Sequence, residues 1–148
     1  MSLTEFLENS PVVRQNSDFD CGPAVVNWMY RAHGQVPSVD PYTLVNADGL
    51  VAGVETMRDL LLPLGPTICD RTLSHFPSVC LLWEDDSPCE HWVVALWRTD
   101  RSMLLMDPEE EEFRTMSLLS FSGALEDTSS PLTVLYPGLP PGFPKYEK

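Results

Sequence analysis

The chain has no apolar run near the ~20 residues that cross a bilayer, which argues against a membrane span. Its start lacks the basic region and apolar core of a secretory signal. Basic residues are scarce: 9 Lys and Arg stand against 22 Asp and Glu, giving a formal net charge of −13 and a pI near 4.3. No basic patch is visible, which argues against nucleic-acid binding through phosphates and against adhesion to anionic membranes. No Cys-x-x-Cys or His-x-x-x-His pair occurs. Cys69, Cys80, Cys89 and the histidines therefore do not read as a metal site, and no cofactor is implied. Internal repeats are absent as well.

What is present fits one compact domain. The 148 residues, 43% hydrophobic, suffice for a single core. Residues 1–136 read as that domain and residues 137–148 as a proline-rich tail. Pro137-Gly138-Leu139-Pro140-Pro141-Gly142-Phe143-Pro144 excludes regular structure and predicts an extended or mobile segment. The four cysteines are an even number, but the missing signal favours a reducing, cytoplasmic setting over disulfides. Cys69 and Cys80 lie in or beside apolar runs and read as buried small side chains. Cys89, two residues before His91, reads as a strand-edge residue.

The most informative stretch is Gln15-Asn16-Ser17-Asp18-Phe19-Asp20-Cys21-Gly22-Pro23-Ala24. It predicts a loop that delivers Cys21 to the first turn of a helix. Pro23 suits that turn, where a missing N–H costs little. Ala24, Val25, Trp28, Met29 and Ala32 then form a one-sided apolar stripe, and Gly34 supplies a C-terminal stop. At a helix mouth, unpaired N–H groups and the positive end of the dipole favour a thiolate. A free cysteine is otherwise a small core residue; its position argues for a nucleophile.

A nucleophilic cysteine needs a base, which can lie far along the chain. His33 stands about three helical turns from Cys21, roughly 18 Å along the axis, and reads as a cap-region or surface residue. His75 lies in a Ser-His-Phe-Pro turn with no partner motif. His91 is better placed. It opens the apolar run Trp92-Val93-Val94-Ala95-Leu96-Trp97; after a break at 98–102, Met103-Leu104-Leu105-Met106 runs to Asp107-Pro108. This reads as a β-hairpin with His91 and Asp107 near its open end. A carboxylate there can hold the imidazole in one tautomer and orientation.

On Gln15, Asp20-Cys21-Gly22-Pro23-Ala24, His91-Trp92-Val93-Val94 and Asp107-Pro108, in that order, the chain resembles the C39-like cysteine peptidases. This papain-like branch includes the leader-cleaving domains of bacteriocin exporters. The stretch from Gly53 to Gly65 also resembles the family's middle helix, and the likeness spans roughly 12–107. It implies Gln15 in an oxyanion hole, Cys21 as nucleophile, His91 as general base and Asp107 as the orienting third member.

The remaining chain gives a coarse order of elements. A short helix over 2–8 carries a capping box, Ser2 with Glu5. A weak helical segment follows at 39–47, then a helix over 53–64 with Val54, Met57, Leu60, Leu61 and Leu64 on one side and Pro63 disturbing its last turn. Strands are expected at 67–70, 78–83, 113–116 and 132–136, with a helix over 117–125 capped by Ser117. Glu84-Asp85-Asp86-Ser87-Pro88 reads as a solvated acidic loop that can also border a cleft and raise the pKa of His91. Glu109 to Glu112 form a second acidic run, usually a solvated face.

Helices first and strands later predict an α+β fold, papain-like, with an N-terminal helical half carrying Cys21 and a C-terminal antiparallel sheet carrying His91 and Asp107. The expected activity is peptide-bond hydrolysis through a thioester, acting on a peptide or protein substrate. An acyltransferase or isopeptide-cleaving enzyme on the same triad, or a non-catalytic peptide-binding domain, are the alternatives. Fusion to an exporter is the family's leader-cleaving form; without spanning segments a leader-peptide substrate does not follow.

Overall fold

A computed structural model describes residues 2–15, 21–38, 40–44, 54–68, 73–84, 90–128 and 134–146. Four α-helices occupy these residues: α1 (Leu3–Glu8), α2 (Cys21–Ala32), α3 (Val54–Leu61) and α4 (Leu118–Glu126). Six strands accompany them: β1 (Thr67–Ile68), β2 (Ser78–Leu82), β3 (His91–Arg98), β4 (Ser102–Met106), β5 (Arg114–Ser117) and β6 (Val134–Tyr136). Short 3₁₀ turns cover Pro41–Leu44 and Leu62–Leu64.

The strands form one antiparallel sheet in the order β1-β6-β2-β3-β4-β5. From β2 to β5 it is a meander, because each connection suits an antiparallel neighbour. β6 then returns to the far side of β2 and carries β1 on its outer edge. Every residue of β2 and the first six of β3 are buried. Both faces of these central strands are therefore covered, which is what their unbroken apolar runs demand. The fold is α+β, with α2 packed on β3 and α4 on β2, β4 and β5.

Local chemistry sets the boundaries. Ser2 Oγ accepts from the Glu5 N–H at 3.1 Å and Ser117 Oγ from the Ser120 N–H at 3.1 Å, so both serines cap their helices. Gly34 and Gly65 each have φ of 70°, the left-handed geometry that closes α2 and the turn after α3. Pro63 lies where α3 tightens into a 3₁₀ turn. The hairpin expected at His91 is β3–β4, turned through 99–101 by a Thr99–Ser102 backbone bond of 2.9 Å.

The C-terminal segment differs from a free end. Residues 137–146 contain no helix or strand, as their prolines require. Yet Phe143 is only 4% exposed. Its ring meets Phe6 edge-on at 5.0 Å, and Tyr146 meets Phe76 and Trp97 at 4.8 and 4.9 Å. Two aromatics among the prolines fasten the segment to the core. The expected turn at 46–49, residues 85–88 of the acidic loop, Cys69 and Cys89 lie outside the described residues. Cys80 is buried, and its thiol donates to the Ser78 carbonyl at 3.6 Å.

Candidate active site

Cys21 is the first residue of α2, and Pro23 sits in the first turn without losing a needed hydrogen bond. The helix is held down by Val25, Trp28 and Met29, none of them exposed, and by the Trp28 indole N–H, which donates to the Ser10 carbonyl at 2.9 Å. The cysteine itself is 1% exposed. Because α2 packs across β3, its sulfur reaches the start of that strand. There the Trp92 backbone N–H points at Cys21 Sγ, 3.4 Å away.

The pairing of β3 with β4 explains how His91 and Asp107 meet. Ala95 stands opposite Leu105. His91 lies four residues before Ala95 and Asp107 two after Leu105, so with a period of two all four share one face. Beyond the last paired residues the two side chains become diagonal neighbours. His91 Nε2 approaches Asp107 Oδ1 to 2.6 Å, both groups buried. Cys21 lies beside this ring: its sulfur accepts from the N–H of the next residue, Trp92, and its presence raises the His91 pKa. With Nε2 committed to Asp107, Nδ1 is the nitrogen left for the thiol.

Electrostatics follow from this packing. Burial pulls His91 toward its neutral form, but the hydrogen bond to Asp107, the neighbouring Cys21 and the charges of both outweigh it, and its pKa is pushed up to about 10. Burial likewise favours the neutral form of Asp107. The His91 hydrogen bond and charge, the Glu109 N–H and the Arg114 guanidinium reverse this and hold its carboxyl below the ordinary range. Glu84 is not among the groups that raise His91; it pairs with Arg114 instead.

Gln15 is tied to the same corner. Its backbone N–H donates to the Pro108 carbonyl at 3.0 Å, one residue past Asp107. Arg14 next to it reaches Glu111 Oε1 and the Glu109 carbonyl, each at 3.2 Å. The structure thus bonds His91 to Asp107, sets the Cys21 sulfur against the Trp92 N–H next to that ring, and anchors the Gln15 backbone at the same corner. His33 instead bonds the Met29 carbonyl through Nδ1 at 2.9 Å, and His75 meets Ser74 at 3.2 Å.

Three features of the site escaped the sequence reading. Arg114 binds Asp107, Glu84 supports Arg114, and Glu109 Oε1 stands 4.0 Å from His91 Nδ1. The clue to Arg114 was a lone cation two residues past a run of four acids, in an expected strand. His91, Asp107 and Glu109 also bring potential metal-ligand atoms within 4.8 Å of one another. A cation there would compete with the guanidinium already on Asp107 and with the proton on His91.

No protein-family model and no curated protein sequence matches the chain. Among solved structures it is similar to the peptidase domain of Streptococcus ComA, a bifunctional ABC transporter involved in a quorum-sensing pathway. The TM-score is 0.67 at 17% identity, over 86% of this chain and 96% of that one. At this identity the likeness is one of fold.

Proposed function

We propose that the protein is a cysteine peptidase that cuts a peptide bond through a thioester on Cys21. The observation that supports this reading is the buried His91–Asp107 bond of 2.6 Å with the Cys21 sulfur on the N–H of the adjacent Trp92, where α2 meets the open end of the β3–β4 hairpin. A peptidase-domain fold agrees with it.

The Cys21 proton passes to His91, and Sγ attacks the substrate carbonyl carbon. The imidazolium is held by Asp107, and the Trp92 N–H supports negative charge on sulfur. With water largely excluded around Cys21, both interactions count for more than at the surface. The Gln15 amide and the Cys21 backbone N–H receive the oxyanion. His91 gives its proton to the leaving amine, and the acyl group stays on sulfur. His91 then takes a proton from water, which attacks the thioester and frees the acid. The chemistry needs Cys21 as a free thiol, as a reducing cytoplasm would keep it.

Iodoacetamide labelling near pH 6, followed by mass mapping, tests the pair. Cys21 should label first, and His91→Ala should slow it about tenfold or more. Slow labelling of Cys21, unchanged in His91→Ala, would sink the reading. A peptide library with and without an added amine then asks whether water or the amine takes the acyl group. Amide products in place of acids would reassign the enzyme to acyl transfer.

A further inference from the structure

Asp107 is more completely fixed than a lone orienting carboxylate. Oδ1 receives His91 Nε2 at 2.6 Å and the Glu109 N–H at 3.0 Å; Oδ2 receives Arg114 Nε at 2.8 Å. The same guanidinium turns its Nη2 to both Glu84 oxygens, at 3.1 and 3.2 Å. Two strands arrange this. Arg114 stands opposite Leu105 in the β4–β5 pairing, and Asp107 follows Leu105 by two. Arg114 and Asp107 therefore emerge on one face, and Arg114 points inward, while Thr115 beside it is exposed. Glu84 lies two residues past the end of β2, so the guanidinium bridges carboxylates that follow the two strands flanking β3.

We propose that Arg114, braced by Glu84, is a positioning residue that fixes the plane and the charge of the Asp107 carboxylate, and through it the His91 ring. This rests on the reading of Cys21 and His91 as a catalytic pair. Asp107 has a single side-chain torsion free to spin its carboxyl group, and one hydrogen-bonded oxygen leaves that torsion loose. Arg114 Nε engages the second oxygen while Nη2 of the same rigid plane holds Glu84, a fixed two-point geometry that the flexible ammonium of a lysine lacks. Its charge also keeps a proton off a carboxylate whose side chain is 2% exposed.

The test is the rate of Cys21 labelling by iodoacetamide between pH 4 and 8, in the wild type, His91→Ala, Arg114→Gln, Arg114→Lys and Glu84→Gln. Thermal melting confirms that each is folded. In the wild type the fast rate should persist to low pH, because Asp107 stays ionised. In Arg114→Gln the acid fall-off should move up by about one pH unit, with labelling up to about tenfold slower below it. Arg114→Lys should lie between, since an ammonium reaches one carboxylate at a time. Glu84→Gln should shift the fall-off in the same direction by less. A fold defect alone lowers the melting temperature without moving the fall-off. If Arg114→Gln or Arg114→Lys is folded and overlays the wild type, the inference is overturned while the catalytic pair stands. Should Arg114→Gln not fold, the Lys and Glu84 variants decide by the same criterion. If wild-type labelling is slow and indifferent to His91→Ala, the catalytic reading has failed and the inference falls with it.

Discussion

His91 is held by two partners of different strength. Asp107 bonds Nε2 at 2.6 Å out of contact with solvent, while the Cys21 thiol adds a smaller upward pull and the half-exposed Glu109 stands 4.0 Å from Nδ1. Removing one partner should therefore lower the imidazole pKa in part. In the wild type, His91 should titrate near 10. In Cys21→Ala it should fall but stay above the ordinary 6.5, because the larger contribution, Asp107, remains. Asp107→Asn should bring it to 6.5 or below, since burial then acts against a weaker neutral partner. Histidine ring NMR across pH 5 to 11 reads all three. An unchanged value in Asp107→Asn would show that the carboxylate does not govern the ring.

At the scale of elements, the capping serines, the glycine stops and the hairpin were all legible, because each is a local signal read within a few residues. Ser2, Ser117 and Gly34 occupy the positions their chemistry predicts. What escaped depends on contacts far apart in sequence. Arg114 meets Glu84 across 30 positions, and Phe143 meets Phe6 from opposite ends of the chain. No periodicity encodes such a pair. A proline-rich segment read alone suggests a free end; only the three-dimensional core shows that Phe143 fills part of it. Phe143→Ala should cost about 3–5 kcal/mol, the usual range for a buried phenylalanine. Truncation after Tyr136 should cost at least as much, because it also removes Tyr146 from Phe76 and Trp97. Urea unfolding measures both. A change below about 0.5 kcal/mol would mean the segment merely rests on the surface.

For the molecule as a whole, the charged pair makes stability depend on pH in a defined way. The folded pKa of His91, about 10, lies above its ordinary 6.5. Its contribution is fully present below pH 6.5 and is lost as pH rises toward 10. Asp107 has the opposite sign: its folded pKa lies below the ordinary 3.8, so its contribution is present above that pH and fades as pH falls further. The pair therefore stabilises most between roughly pH 4 and 6.5. A second effect points the same way on the alkaline side, since a net charge of −13 repels itself. Salt separates the two. At 1 M the Debye length is about 3 Å, which screens the exposed acids but not a buried contact. In 1 M sodium chloride the wild type should still lose melting temperature from pH 6 to pH 9.5, and His91→Gln should lose markedly less. Each kcal/mol of the difference is worth about 2–4 °C in a domain of this size. Parallel curves for the two proteins would mean that the alkaline loss comes from the surface alone, and that His91 folds without the charge its neighbours confer.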